Sequence, residues 1–143
     1  MQLGAMFAGL SIENSMLGAA HALANPLTAT YGIPHGEAVA LMLPHVVPFN
    51  AEVCAAQYAE LFTSIPKTTV DHPPAPDDAI DLLVTFLEDA RRRAGLAANL
   101  SDCGVERDRL PELATAAAKQ WTAQFNPRDT NENDMLTLYE QAF

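Results

Sequence analysis

Two histidines, His21 and His35, stand fourteen residues apart with Pro26, Gly32 and Pro34 between them. On one straight helix that spacing would hold their Cα atoms about 21 Å apart, too far to share an ion. Proline removes a backbone donor and glycine admits left-handed turns, so the run between them can turn back on itself. His21 would then lie on one helix and His35 at the start of the next. Two imidazoles converging from neighbouring helices are a normal way to hold a metal inside a bundle. Taken alone, each histidine has a plainer reading. His21 reads as a core side chain bonded to a carbonyl, and His35 as the first residue of a helix after Pro34. His45, after Pro44, reads as structural, and His72, in a proline-rich stretch, as solvated.

The elements that must position these residues have helical periods. Leu3, Met6, Phe7 and Leu10 share one face at i, i+3, i+4 and i+7. This first helix has no visible cap, which reads as a chain entered mid-helix in a larger protein. A second helix runs from Asn14 or Ser15 to Ala24, with Pro26 allowing one more turn, and residues 26–34 form a connector. From His35 or Gly36 a third helix, apolar nearly all round, reads as the buried centre, kinked or ended by Pro44 and Pro48. Val53, Tyr58, Leu61 and Phe62 suggest a short fourth. Residues 66–78 read as a proline-rich surface loop. Asp77 or Asp78 caps the next helix, whose face is Ile80, Leu83, Val84 and Leu87. Arg91, Arg92 and Arg93 suit the negative end of its dipole, and Gly95 stops it. Further helices span 106–125, ended by Asn126-Pro127-Arg128, and 132–142. No stretch alternates like a strand. The expectation is an all-α bundle of six to eight helices forming a single domain over residues 1–143.

Composition agrees. Of 143 residues, 49% are apolar and only 7% aromatic. Eight basic against 18 acidic residues give a net charge of −10, and no basic stripe points to nucleic acid or an anionic membrane. Glu, Asn, His and Pro break the apolar runs, so no membrane span is expected. Cys54 and Cys103 are distant and read as reduced, inert thiols, and no secretory leader is seen. A cytoplasmic protein is the expectation.

Gly18-Ala19-Ala20-His21, Asn25-Pro26-Leu27, Pro34-His35-Gly36 and Leu43-Pro44-His45-Val46-Val47-Pro48-Phe49-Asn50 resemble the signature of the iron-containing (group III) alcohol dehydrogenases. The likeness starts upstream at Ala8-Gly9-Leu10 and Asn14-Ser15. It continues more loosely through Gly95-Leu96, Leu100 to Val105, Leu110-Pro111-Glu112-Leu113-Ala114 and Asn126-Pro127-Arg128. It covers nearly the whole chain, with residues 4–50 the specific part.

The resemblance implies the all-helical C-terminal domain of such an enzyme, with His21 and His35 as ligands of Fe2+ or Zn2+. It also implies NAD or NADP, a small alcohol or aldehyde substrate, and an N-terminal nucleotide-binding domain upstream; homo-oligomer formation is left open. The chain departs from the pattern twice. The family's site is an Asp and three His, and the Asp-x-x-x-His pair that supplies half of it has no counterpart here. Many members carry a relay histidine where this chain has Asn25, which can hydrogen-bond an alcohol but cannot act as acid or base. With half of the ligand set and the nucleotide domain missing, the chain alone is expected to be inactive. The rival readings are a maleylacetate-reductase-like or glycerol-dehydrogenase-like member, and a non-catalytic helical interaction module.

Overall fold

The computed structural model describes residues 2–64 and 74–143. Six α-helices occur among them: α1 (Gln2–Ser15), α2 (Ala19–Tyr31), α3 (His35–Ser64), α4 (Pro76–Arg93), α5 (Leu110–Ala118) and α6 (Glu132–Ala142). Short 3-10 turns lie at Ser101–Cys103, Arg107–Arg109 and Trp121–Phe125, and no strand occurs among the described residues. The all-α expectation holds.

The core is built around α2. Ala19, Ala22 and Ala24 are fully buried, and side chains this small let neighbouring helices approach closely. Leu23 and Leu27 fill the space between Leu41 and Met42 of α3, Leu110 of α5, and Met135, Leu138 and Tyr139 of α6. Each such leucine contributes about 1.5–3 kcal/mol by leaving water. The Tyr139 hydroxyl donates to the Leu23 carbonyl at 2.6 Å, a buried bond that fixes α6 against α2. Over the stretch expected as the third helix, Ala38, Leu41, Met42, Val46 and Val47 of α3 face inward; Glu52, Val53 and Leu61, in the stretch expected as a fourth, are exposed.

Several boundaries differ from expectation. Met16 takes φ 63°, which stops α1, while the side chains of Asn14 and Ser15 bond back to the carbonyls of Leu10 and Ser11. The second helix therefore starts at Ala19. It then runs through Pro26 to Tyr31, because the burial of Leu23, Pro26 and Leu27 outweighs the one hydrogen bond that proline removes. Only Gly32-Ile33-Pro34 is left as connector. Pro44 and Pro48 also sit inside α3; four residues apart, they forfeit bonds along one strip of the helix. The kink comes at Cys54 (φ −134°, ψ 24°), and the expected fourth helix is the segment beyond it.

Ala75 rather than an aspartate is the N-cap of α4, Pro76 opens it, and Asp77 and Asp78 sit in its first turn, where carboxylates suit the dipole. Residues 65–73 lie outside the described part, so most of the expected loop and the placement of His72 are not addressed. The helix expected over 106–125 reduces to α5 between two 3-10 turns, with Gln120 in extended conformation and Trp121 54% exposed.

Leu3, Met6, Phe7 and Leu10 of α1 are exposed, although their period anticipated a packed face. By length and composition α3 is apolar enough to cross a membrane over His35–Phe62, despite the polar residues and prolines that counted against a span. Here it is the spine against which α2, α4 and α6 pack.

Candidate metal centre

His21 lies in the first turn of α2, and the chain secures that turn from a distance. Gly18, the N-cap, has no side chain to cap the helix. The Ala19 N–H donates instead to Asn126 Oδ1 at 3.1 Å. The same oxygen accepts from Asn50 Nδ2 at 3.1 Å, while Asn126 Nδ2 donates to Asn50 Oδ1 and to the Arg128 carbonyl, both at 2.7 Å. Every polar atom of the buried Asn126 amide is thus used. A Cβ at Gly18 would sit 2.9 Å from Asn126 Oδ1, so any larger residue there would push on the oxygen that caps α2. Arg128 completes the link to α3. Its guanidinium donates to the Phe49 carbonyl at 3.0 Å, pairs with Glu52 at 2.9 Å and stacks 4.0 Å from the centre of the Phe49 ring.

His35 is placed by the turn. Gly32 ends α2 at φ 68° with its N–H on the Thr28 carbonyl, Ile33 is buried as an anchor, and the Pro34 carbonyl accepts from Glu37 and Ala38 to open α3. α3 then packs on α2, and the two imidazoles meet with ring centroids 5.3 Å apart and planes tilted by 45°. His21 is half-buried and His35 exposed, so the pair faces outward.

The centroid spacing is close to what two ligands of one divalent ion would show. With nitrogens about 2.1 Å from the ion, rings extending about 1.2 Å further and a near-tetrahedral angle, the centroids of two such ligands would fall about 5.4 Å apart. Burial, and then the neighbouring His35, hold His21 below the usual imidazole range, which keeps a neutral nitrogen lone pair available. No group of three or more His, Cys, Asp or Glu residues suited to a metal occurs among the described residues. Two more ligands would have to come from elsewhere.

Beside His21 opens a cavity of about 390 Å³ lined by Leu17, Val39, Leu43, Val46 and Phe125, an apolar wall next to a polar corner. On the other side, one turn along α2, Asn25 Nδ2 donates to Gln120 Oε1 at 3.0 Å. His45 is remote from this pair; it borders a separate cavity with Phe49, Arg128 and Asp134. The sequence marks Gly18 and Asn50 as carriers of a resemblance, and Asn126 and Arg128 as that and as the end of a helix. Their joint role depends on contacts 76 and 107 residues apart in the chain, which no local period reports.

The sequence model described as "Fe-containing alcohol dehydrogenase family, C-terminal" matches residues 1–143. Lactaldehyde reductase of Escherichia coli K12 is 33% identical over 143 residues, covering all of this chain and 37% of that protein. For 1,3-propanediol dehydrogenase of Citrobacter freundii the identity is 31%, over all of this chain and 36% of that protein. Among solved structures, alcohol dehydrogenase from Oenococcus oeni superposes with a TM-score of 0.87 at 28% identity, covering 96% of this chain and 36% of that one. The chain therefore spans little more than a third of the length of these curated relatives.

Proposed function

This chain belongs to the iron-containing alcohol dehydrogenase family, whose C-terminal helical part it matches, and on that footing we propose that His21 and His35 supply two of the metal ligands of a dehydrogenase interconverting small alcohols with aldehydes or ketones. The observation that carries the reading is the convergence of the two rings, 5.3 Å between centroids, on an outward-facing edge. Fe2+ or Zn2+ suits this nitrogen pair. When bound, the ion supplies a Lewis acid at the substrate oxygen and NAD or NADP supplies the hydride acceptor or donor.

The chain's own residues do the rest. α2 and α3 hold the imidazoles in register, and burial keeps His21 neutral and able to donate its lone pair. The apolar cavity beside His21 takes the carbon chain of the substrate and keeps water off it. Asn25, one turn from His21, can orient a hydroxyl but cannot accept its proton, so the proton leaves through water. The described residues hold no strand followed by a glycine-rich turn to cradle a pyrophosphate. We assign the nucleotide, the remaining two ligands and a full substrate cleft to the two thirds of the relatives' length that this chain does not match.

The test is a comparison of two proteins. The 143-residue chain alone should show no NAD(P)-linked oxidation of a simple alcohol such as propan-1-ol. A polypeptide that also carries a nucleotide-binding region and the Asp-x-x-x-His segment should show it. In that longer protein His21→Ala and His35→Ala should each lose bound metal and turnover together. Robust turnover by either variant would overturn the reading.

A further inference from the structure

The cavity beside His21 has one wall that does not come from the helical core. Val39, Leu43 and Val46 form its floor, on one face of α3 and spread over about 10 Å of that helix. Leu17 borders it on one side and Phe125 on another. Phe125 is 46% exposed and Val46 only 3%, so the phenyl ring stands at the rim with the floor beneath it. Trp121 meets that ring edge-on, with centroids 5.9 Å apart and planes at 84°, an arrangement that aromatic pairs prefer. The backbone is fixed as well. Asn126 follows Phe125 directly; its N–H donates to the Ala123 carbonyl at 3.2 Å, and its side chain caps the helix that carries His21. The cap therefore sets where the ring stands relative to His21, and Trp121 sets how the ring is turned. Neither ring belongs to the buried core, so core packing does not account for the pair.

We propose that Phe125 sets the length of carbon chain that the cavity accepts, and that Trp121 is a positioning residue that holds the phenyl ring in place. An alkyl chain whose reacting oxygen lies at His21 and His35 runs along the floor and gains contact with each added carbon until its end meets the ring. Beyond that point a further carbon must displace the ring or leave the cavity. One methylene accepted or rejected by an apolar pocket changes kcat/KM by roughly 10–200-fold, so a fixed wall gives a sharp optimum of chain length. The proposal rests on the functional reading above.

The experiment measures kcat/KM for the straight-chain primary alcohols from ethanol to octan-1-ol with the intact, metal-loaded enzyme that carries this chain. It compares wild type, Phe125→Ala, Phe125→Trp, Trp121→Ala and the double variant of Phe125→Ala with Trp121→Ala. Metal content and far-ultraviolet circular dichroism confirm that each protein is folded and loaded. The readout is the shape of the profile against chain length, from which any uniform loss of activity cancels. Phe125→Ala should move the optimum to longer chains and raise octan-1-ol relative to propan-1-ol by about tenfold or more. Phe125→Trp should move the optimum to shorter chains. Trp121→Ala should shift it in the same direction as Phe125→Ala and add nothing in the double variant, because the ring it holds is gone. A profile of unchanged shape in both Phe125 variants overturns the wall, and one of unchanged shape in Trp121→Ala overturns the positioning role; both leave the functional reading standing. A loaded wild type that oxidises none of these alcohols overturns the wall and the functional reading together.

Discussion

Asn126 Oδ1 accepts the Ala19 N–H at 3.1 Å, so the helix that carries His21 is capped by a side chain 107 residues further along the chain. This bond ties the last third of the sequence to the histidine pair. Asn126→Ala leaves the Ala19 N–H without its partner and removes both bonds to the buried Asn50 amide. It should lower the stability of the chain by about 1–3 kcal/mol, read as a lower urea midpoint with an unchanged m-value. Gly18→Ala should act in the same direction, because its Cβ would press on the same oxygen.

Tyr139→Phe removes one buried hydrogen bond, that to the Leu23 carbonyl, and keeps the ring in place. The expected loss is about 0.5–1.5 kcal/mol. Leu23→Ala removes side-chain volume from the same fully buried spot and should cost about 2–5 kcal/mol. Leu82→Ala, on an exposed part of α4, should cost far less. Thermal unfolding of the three variants orders them.

His45 gives the fold a pH dependence. Burial first, then the Arg91 guanidinium, hold its imidazole below 6.5, against a smaller opposing effect of Glu88. The folded state thus binds its proton less readily than the unfolded state. The stability tied to neutral His45 is fully present above the unfolded value of about 6.5 and is lost as pH falls through the lower folded value. The melting temperature should fall between pH 7 and pH 5, and His45→Gln should flatten that part of the profile. An unaltered profile in the variant would remove His45 as the cause.

α6 was legible in the sequence because Met135, Leu138 and Tyr139 keep a helical period; the capping box of Asn131 and Asp134 at its start emerges only in the structure. The helix of Ile80 and Leu83 was legible for similar reasons, apart from its cap. Pro26, Pro44 and Pro48 misled, because the penalty for a proline inside a helix is local while the burial that overrides it is set by the whole core. Gln120 misled in the opposite direction. It fits a helical pattern, yet the chain turns extended there so that its amide reaches Asn25. The turn that brings His35 back to His21 could be anticipated from Gly32 and Pro34. The residues that hold the turn's partner helix in place could not, since Asn50 and Asn126 meet across 76 residues.

The central claim is that His21 and His35 share one divalent ion, and a zinc titration of the 143-residue chain by calorimetry tests it most directly. With two ligands the affinity should be weak and the stoichiometry one. His21→Ala and His35→Ala should each lower the affinity by tenfold or more, and the double variant should lose less than the two single losses combined, because either single change already removes the chelate. His45→Ala should bind as wild type does. Single variants that bind zinc normally, or losses that simply add in the double variant, would contradict a shared ion.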